Sequence, residues 1–252
     1  MRAMVLAAGL GTRLRPLTDD RPKALVEING RTLLEIALLR LRSAGIRDVV
    51  VNVYHFADMI VDYLRSSGNF GMRVEISREE VLLDTGGGLK KAAWFFLGDS
   101  VDPDEPFIVH NVDVLSTIDL GRMVEFHVES RALATLAVQE RVSSRHLLFD
   151  NRLRLCGRQT GKEPALLVRD CQQERQWAFC GIHVISPRLL AMLSQEGPFS
   201  IITEYLRLAA RGEEISAFRA DEYYWRDLGR PGNVAQAASD LREGVIVQEG
   251  PL

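Results

Sequence analysis

Leu6-Ala7-Ala8-Gly9-Leu10-Gly11-Thr12-Arg13-Leu14-Arg15-Pro16, followed by Pro22-Lys23, is the stretch on which the reading of this chain turns. It overlaps the end of Ala3–Ala7, a short apolar run of the kind that forms a buried strand. A strand therefore ends here and a loop of about fifteen residues begins, long for a compact domain and typical of functional connections. Gly9 and Gly11 let the backbone approach a ligand and aim N–H groups at it. Arg13, Arg15 and Lys23 add cations to the same loop. Glycine turns and cations at the carboxyl end of a strand form a cradle for a triphosphate. Two other nucleotide motifs are excluded. The dinucleotide fingerprint needs a third glycine where Leu14 stands, which disfavours an NAD-dependent dehydrogenase, and no Gly-Lys-Ser/Thr of a Walker A loop follows.

Outward from the loop, short apolar runs alternate with amphipathic helical patterns. Thr32–Ser43 predicts a helix with Leu34, Leu38 and Leu41 on one face and Gly45 as its stop. Asp48–Val53 and Arg73–Ile76 predict strands, with a helix over Ala57–Arg65 between them. A helix over Leu89–Phe96, a strand over Phe107–Val109, a helix over Leu120–Val128 and a strand over Ala132–Val138 follow. This alternation predicts a mostly parallel sheet covered on both faces. After about residue 140 the pattern changes: His146–Phe149 and Leu153–Gly157 flank an Asp150-Asn151 turn, and Trp177–Ile185 is a further strand. Ser200 caps a helix through Arg211, Ile215–Phe218 and Tyr223–Trp225 are strands, and Pro231 starts a last helix to Arg242. With no linker, repeat or low-complexity tract, residues 1–252 read as one domain. About 1–140 form its nucleotide-binding half, and about 141–252 its acceptor half.

The bulk numbers fit a globular protein: 252 residues, 46% hydrophobic and 26% charged, with a formal net charge of −3. That charge gives no polyanion-binding field, so nucleic acid is not an expected partner. Cys156, Cys171 and Cys180 are odd in number and form no C-x-x-C pair. Neither a disulfide framework nor a zinc site is expected, and a reducing, cytoplasmic location follows. The apolar run Ala3–Ala8 is too short for a signal peptide or membrane span.

Three further segments carry chemistry. Gly86–Gly88 precede the predicted helix and could cradle a ligand at its N-terminus. Asp113 follows the run Phe107–Val109, and Asp227 follows Tyr223–Trp225; two aspartates at strand ends could share a hard cation such as Mg²⁺. Alone, each aspartate also reads as a strand-end cap. Glu79-Glu80 reads as a solvated turn, Trp94, Phe95 and Phe96 as helix core, Cys180 as a small buried residue, and the five histidines show no metal spacing.

The full string G-x-G-T-R-x-x-P-x-T-x-x-x-P-K resembles the sugar-1-phosphate nucleotidyltransferases (NDP-sugar pyrophosphorylases). The likeness continues through Asp84-Thr85-Gly86-Gly87-Gly88 and Asn111-Val112-Asp113 to Trp225-Arg226-Asp227-Leu228-Gly229. It implies an α/β fold, a Rossmann-like nucleotidyltransferase sandwich with a mixed, mostly parallel central sheet. The implied reaction is NTP plus sugar 1-phosphate giving NDP-sugar and pyrophosphate, with Mg²⁺. Nucleotide contacts fall to Leu6, Ala7, Ala8, Gly9, Gly11, Thr12, Arg13, Gly86, Gly87 and Gly88, and substrate contacts to Lys23, Asn111 and Gly181. Arg13, Lys23 and Asp113 are the catalytic set, and Asp113 with Asp227 the metal set. The short chain is similar to N-acetylmuramate-1-phosphate uridylyltransferases, which favours UTP and a role in cell-wall or polysaccharide precursors.

Departures from the family pattern bear on the acceptor. The family's Glu-Lys-Pro, whose lysine contacts the sugar phosphate, has only Gly161-Lys162-Glu163-Pro164 as a counterpart, with Arg158 or Lys162 as substitutes. Val112 replaces a smaller family residue. Without a hexapeptide-repeat domain, neither its trimerising surface nor acetyltransferase activity is expected, and a monomer or small homo-oligomer is. A phosphocholine cytidylyltransferase and a non-catalytic sugar-nucleotide sensor stay open beside the sugar-1-phosphate reading.

Overall fold

The computed structural model describes residues 1–98, 102 and 104–246. β1 (Arg2–Leu6) runs into the long loop, which is stiffened by two 3₁₀ turns at Thr12–Leu14 and Lys23–Leu25. A small hairpin, β2 (Glu27–Ile28) and β3 (Arg31–Thr32), leads to α1 (Leu33–Ser43). Then come β4 (Asp48–Val53), α2 (Ala57–Ser66), β5 (Arg73–Arg78), α3 (Asp84–Lys91), β6 (Phe107–Asn111), β7 (Val114–Ser116), α4 (Leu120–Ser130) and β8 (Ala134–Gln139). The second half adds β9 (Arg145–Phe149), β10 (Leu155–Thr160), β11 (Leu166–Leu167), the long β12 (Arg175–Ile185), α5 (Ile201–Ala210), β13 (Ile215–Arg219), β14 (Trp225–Asp227) and α6 (Pro231–Arg242).

Among the described residues ten strands form one mixed sheet in the order β11-β10-β9-β12-β6-β1-β4-β5, with β8 joined to β12 and β13 to β8. Strands β6, β1, β4 and β5 are parallel neighbours, and β12 joins β6 antiparallel. Side chains alternate across the sheet. Ala3, Val5, Val49 and Val51 therefore enter a core with α1, while Met4 and Val50 enter a second core with α5. Burial on both faces is why these strands read as nearly continuous apolar runs.

Local chemistry sets the helix ends. The Thr32 hydroxyl accepts a hydrogen bond from the Glu35 N–H at 3.0 Å and caps α1. Asp150 makes the turn between β9 and β10, accepting from the N–H groups of Arg152 and Arg154 and from the Arg154 side chain.

Several expectations are corrected. Gly86–Gly88 lie inside α3, which starts at Asp84 and ends at Lys91, followed by a 3₁₀ turn over Ala93–Phe95. Three glycines lower helix propensity, but each allows a close contact. A side chain on Gly86 would meet the Phe199 ring at 2.3 Å, and one on Gly87 the Gly197 carbonyl oxygen at 2.4 Å. We predict that Gly87→Ala destabilises the protein by about 2–3 kcal/mol, since the obstacle is backbone and not a movable side chain. An unchanged urea midpoint would show instead that α3 and the 197–199 segment are loosely packed.

Glu79 is not a solvated turn residue: it is 7% exposed and accepts hydrogen bonds from Asn52 Nδ2 at 2.7 Å and from the Leu83 N–H at 2.9 Å. Trp94 does not pack as core, being 52% exposed, whereas Phe95 and Phe96 are buried. Asp227 is the last residue of β14 and does not follow a strand over Tyr223–Trp225. Cys156 and Cys171 are joined as a disulfide, with Cα atoms 5.7 Å apart. The chain brings them together because the Val168 N–H donates to the Cys156 carbonyl at 2.8 Å, which holds the segment leading to Cys171 against β10. An odd cysteine count does not preclude one bridge, and Cys180 remains a buried free thiol.

Candidate active site

The parallel register decides where the polar groups meet. Leu6 lies opposite Asn52 on one side and Asn111 on the other, so the carboxyl ends of β1, β4 and β6 are level. Ligands of open α/β sheets bind at such an edge. Beyond it the Ala7 N–H donates to Asn52 Oδ1 at 2.8 Å, and the Val112 N–H donates to the Leu6 carbonyl at 3.1 Å. Asn52 thereby ties the start of the loop to Glu79 and to α3, where a side chain on Gly88 would come within 2.8 Å of both Asn52 and Glu79.

The loop then folds back on itself. Gly11 has φ +66°, the left-handed region that favours glycine, and a side chain there would crowd Lys23 and Thr18 at 3.0 Å. The Thr18 hydroxyl donates to the Gly11 carbonyl at 2.9 Å and fixes that turn. Gly9 borders open space, and Ala7 and Ala8 are buried while Thr12 and Arg13 are exposed. Arg15 points away, facing Asp19 at 3.4 Å on the surface.

Lys23 Nζ lies against Asp113 Oδ2 as a close ion pair, both side chains mostly buried. Asp113 sits between β6 and β7, and the Leu228 N–H donates to its carbonyl at 2.8 Å. In the β7–β14 pair, Asp227 lies opposite Val114, the residue after Asp113. Asp113, just before β7, and Asp227, at the end of β14, therefore adjoin in the backbone. Asp227 Oδ1 accepts the Gly229 N–H at 2.5 Å. A side chain on Gly229 would touch Asp227 Oδ1 at 2.7 Å and Arg13 Nη2 at 2.9 Å, so the Arg13 guanidinium and the Asp227 carboxylate border the same glycine. Gly181 (φ +73°) completes the wall; a side chain there would strike Asn111 at 2.8 Å and Val114 at 2.9 Å.

The structure thus gathers Arg13, Lys23, Asn111, Asp113, Gly181 and Asp227 around one crevice. Gly86 and Gly87 differ: their N–H groups donate to the Phe199 carbonyl at 2.9 and 3.3 Å and are spent within the protein. Arg158 and Lys162 are exposed, on β10 and the turn after it. Sequence reasoning passed over Asn52 and read Glu79 as solvated. A lone Asn within Val49-Val50-Val51-Asn52-Val53 was the available signal, since a polar residue inside a buried strand needs a partner.

A carboxylate paired with a lysine, and a second carboxylate at the end of the adjoining strand, thus lie at the carboxyl edge of a parallel sheet behind a glycine loop. A family profile described as nucleotidyl transferase matches residues 2–146. The chain is 36% identical over 249 residues to the N-acetylmuramate alpha-1-phosphate uridylyltransferase of Caulobacter vibrioides, covering 96% of this chain and 97% of that protein. It is 30% identical over 234 residues to a mannose-1-phosphate guanyltransferase of Yarrowia lipolytica, covering 92% of this chain and 61% of that one. The fold is shared with HddC from Yersinia pseudotuberculosis complexed with GMP-PN, with a TM-score of 0.75 at 21% identity over 95% of this chain and 98% of that one. The chain belongs to the nucleotidyl transferase family, and its curated relatives are sugar-1-phosphate nucleotidyltransferases.

Proposed function

We propose that the chain joins the nucleotidyl group of an NTP, UTP in preference, to a sugar 1-phosphate, releasing pyrophosphate. The observation that carries this reading is the convergence of Arg13, Lys23, Asp113 and Asp227 on one crevice edge. An oxygen of the acceptor phosphate attacks the α-phosphorus in line. The new P–O bond forms as the bond from the α-phosphorus to the bridging oxygen breaks, and pyrophosphate leaves with that electron pair. Such a reaction asks the protein mainly to position two anions and neutralise charge. Leu6, Ala7, Ala8, Gly9, Gly11 and Thr12 shape the cradle, Arg13 takes the leaving pyrophosphate, and Lys23 bridges the α-phosphate and the attacking phosphate. Gly86 and Gly87 serve the nucleotide by letting α3 and the 197–199 segment close against each other, and Gly88 by letting α3 approach Asn52 and Glu79. Asn111 and Gly181 border the acceptor.

Asp113 and Asp227 fit Mg²⁺: they are hard oxygen donors, and Asp113 already holds a positive charge, the Lys23 ammonium. Among the described residues no cluster of three His, Cys, Asp or Glu surrounds a metal position. Phosphate oxygens and water would complete the shell, as is usual for Mg²⁺. When bound, the ion lowers the repulsion between the two anionic substrates.

The division at about residue 140 follows from this reading, with the cradle before it and Gly181 and Asp227 after it. The cytoplasm is the proposed location because NTPs are made there; the Cys156–Cys171 bridge withdraws cysteine usage as an argument for it. Among the described residues no helix is long and apolar enough to cross a membrane. A choline acceptor is disfavoured, because the aromatic ring at the crevice, Trp225, already carries a cation, the Arg141 guanidinium. Four NTPs tested against several sugar 1-phosphates by pyrophosphate release should give one preferred pair, with UTP as donor. NTP binding without pyrophosphate from any pair would sink the reading and favour a sensor.

A further inference from the structure

In the acceptor half Arg158 and Lys162 are exposed, on β10 and the turn after it. One cation there is buried in part and held rigidly. Arg141 follows β8, and its guanidinium lies 3.8 Å from the centroid of the Trp225 ring. Its Nη2 donates to the Phe179 carbonyl at 2.8 Å. Its Nε is buried and has no hydrogen-bond partner in the protein. Burial opposes the charge on Arg141, whereas the Cys180 side chain beside it and, less strongly, the Asp227 carboxylate favour it.

The surface beneath this guanidinium is fixed as well. The Trp225 indole N–H donates to the Cys180 carbonyl at 2.7 Å, next to Gly181. Trp225 and Asp227 are two apart on β14, so their side chains leave the same face of the strand. Arg141 therefore stacks on the face that carries the Asp227 carboxylate, next to the bare backbone of Gly181. A guanidinium buried in part is costly unless an anion offsets its charge. A planar cation fixed on an aromatic ring loses little freedom when it binds phosphate or carboxylate.

We propose that Arg141 binds an anionic group of the acceptor. The proposal rests on the sugar-1-phosphate reading above and adds the residue that holds the acceptor. The ligand class is an anionic sugar whose 1-phosphate, or a carboxylate elsewhere on the ring, meets the guanidinium edge. Arg13 is left to the triphosphate and Lys23 to the junction of the two phosphates, so a change at Arg141 reads on the acceptor.

The test uses Arg141→Met and Arg141→Lys in the full chain, with the preferred NTP. In Arg141→Met the KM for the sugar 1-phosphate should rise by about 10- to 100-fold, the size of a lost charge-assisted hydrogen bond. The KM for the NTP should change by less than about twofold, because energetically independent sites leave each other's affinity alone. Arg141→Lys keeps the charge but not the stack, and should recover part of the loss. Calorimetric titration with the sugar 1-phosphate gives a binding constant independent of turnover, and thermal melts identify a variant that has lost its fold. Equal losses with glucose 1-phosphate and glucuronate 1-phosphate would assign the contact to the phosphate; a loss confined to the glucuronate would assign it to the carboxylate, and either supports the proposal. Unchanged acceptor constants in both variants, or donor and acceptor constants rising together in the folded Arg141→Lys protein, would overturn it while leaving the wild-type activity standing. A wild-type protein that neither binds nor uses a sugar 1-phosphate would overturn the proposal and the function together.

Discussion

Asp113→Ala is expected to lower kcat by about 10³-fold, equivalent to about 4 kcal/mol of lost transition-state stabilisation. The fold should survive, because the group that anchors this position is the Asp113 backbone carbonyl, which accepts the Leu228 N–H at 2.8 Å and is untouched by the substitution. The carboxylate itself contacts only Lys23 among the described residues' ion pairs. Asp227→Ala should cost as much in rate and slightly more in stability, since its Oδ1 also holds the Gly229 N–H at 2.5 Å. The physical reason for the large rate effect is charge. Two anions must approach within bonding distance, and the two carboxylates are the groups that can place a divalent cation between them. Conservative replacements by Asn keep the size and remove the charge, so Asp113→Asn and Asp227→Asn should lose nearly as much. The dependence on Mg²⁺ concentration should shift upwards in whichever variants keep measurable turnover. Pyrophosphate release at wild-type rates from both alanine variants would remove these residues from the chemistry.

How much of this was legible in the residues depended on whether neighbours in sequence carried the information. The helix beginning at Pro231 and the strand Asp48–Val53 were readable to the residue, because proline and the continuous valines act locally. The position of Asp113 followed from the end of an apolar strand. The start of α3 did not: three consecutive glycines argue against a helix on propensity, and the reason they are tolerated is Phe199, Gly197 and Asn52, which are remote in sequence. Glu79 looked solvated because charged pairs usually are, yet Asn52 and Leu83 satisfy it in the interior. Arg141 gave no signal at all, since its meaning depends on Trp225 and Phe179. The Cys156–Cys171 bridge likewise follows from β-sheet register and not from spacing. Tertiary contacts decided each of these, and each lies near the crevice, on the segments that brace it, or in the acceptor half.

Stability should fall on mild acidification, by about 4 kcal/mol between pH 7 and pH 5.5. Three imidazoles are responsible. Burial pushes the pKa of His110 down to about 4, with Arg40 adding to the shift. His127 is also pushed down to about 4 by burial and by Arg188, and His183 to about 3 by burial and by His110. Each is buried as a neutral ring with a specific partner: His110 Nδ1 with the Asn111 carbonyl at 2.8 Å, His127 with Thr135 and Ser186, and His183 with the Tyr205 hydroxyl at 2.6 Å. In the unfolded chain these rings take up protons near pH 6.5, while the folded protein resists until pH approaches 4 or lower. The unfolded state therefore binds more protons throughout that window, and stability is full above the unfolded pKa and drains away as pH falls. Each ring contributes about 1.3 kcal/mol by pH 5.5, from the proton uptake of a group with an unfolded pKa near 6.5. The carboxylates held below their ordinary range, such as Glu204 beside Arg207 and Asp150 beside Arg154, act only at lower pH, so the window above pH 5 belongs to the histidines. Urea unfolding followed by tryptophan fluorescence at half-unit pH steps measures the slope directly. His127→Gln replaces a titrating ring by an amide that can still reach Thr135 and Ser186, and should remove about one third of the slope. A stability that stays flat from pH 7 to pH 5.5 would mean that the rings gain protons inside the fold, and hence that water reaches the space between β6, β12 and α5 and that between α4 and β8.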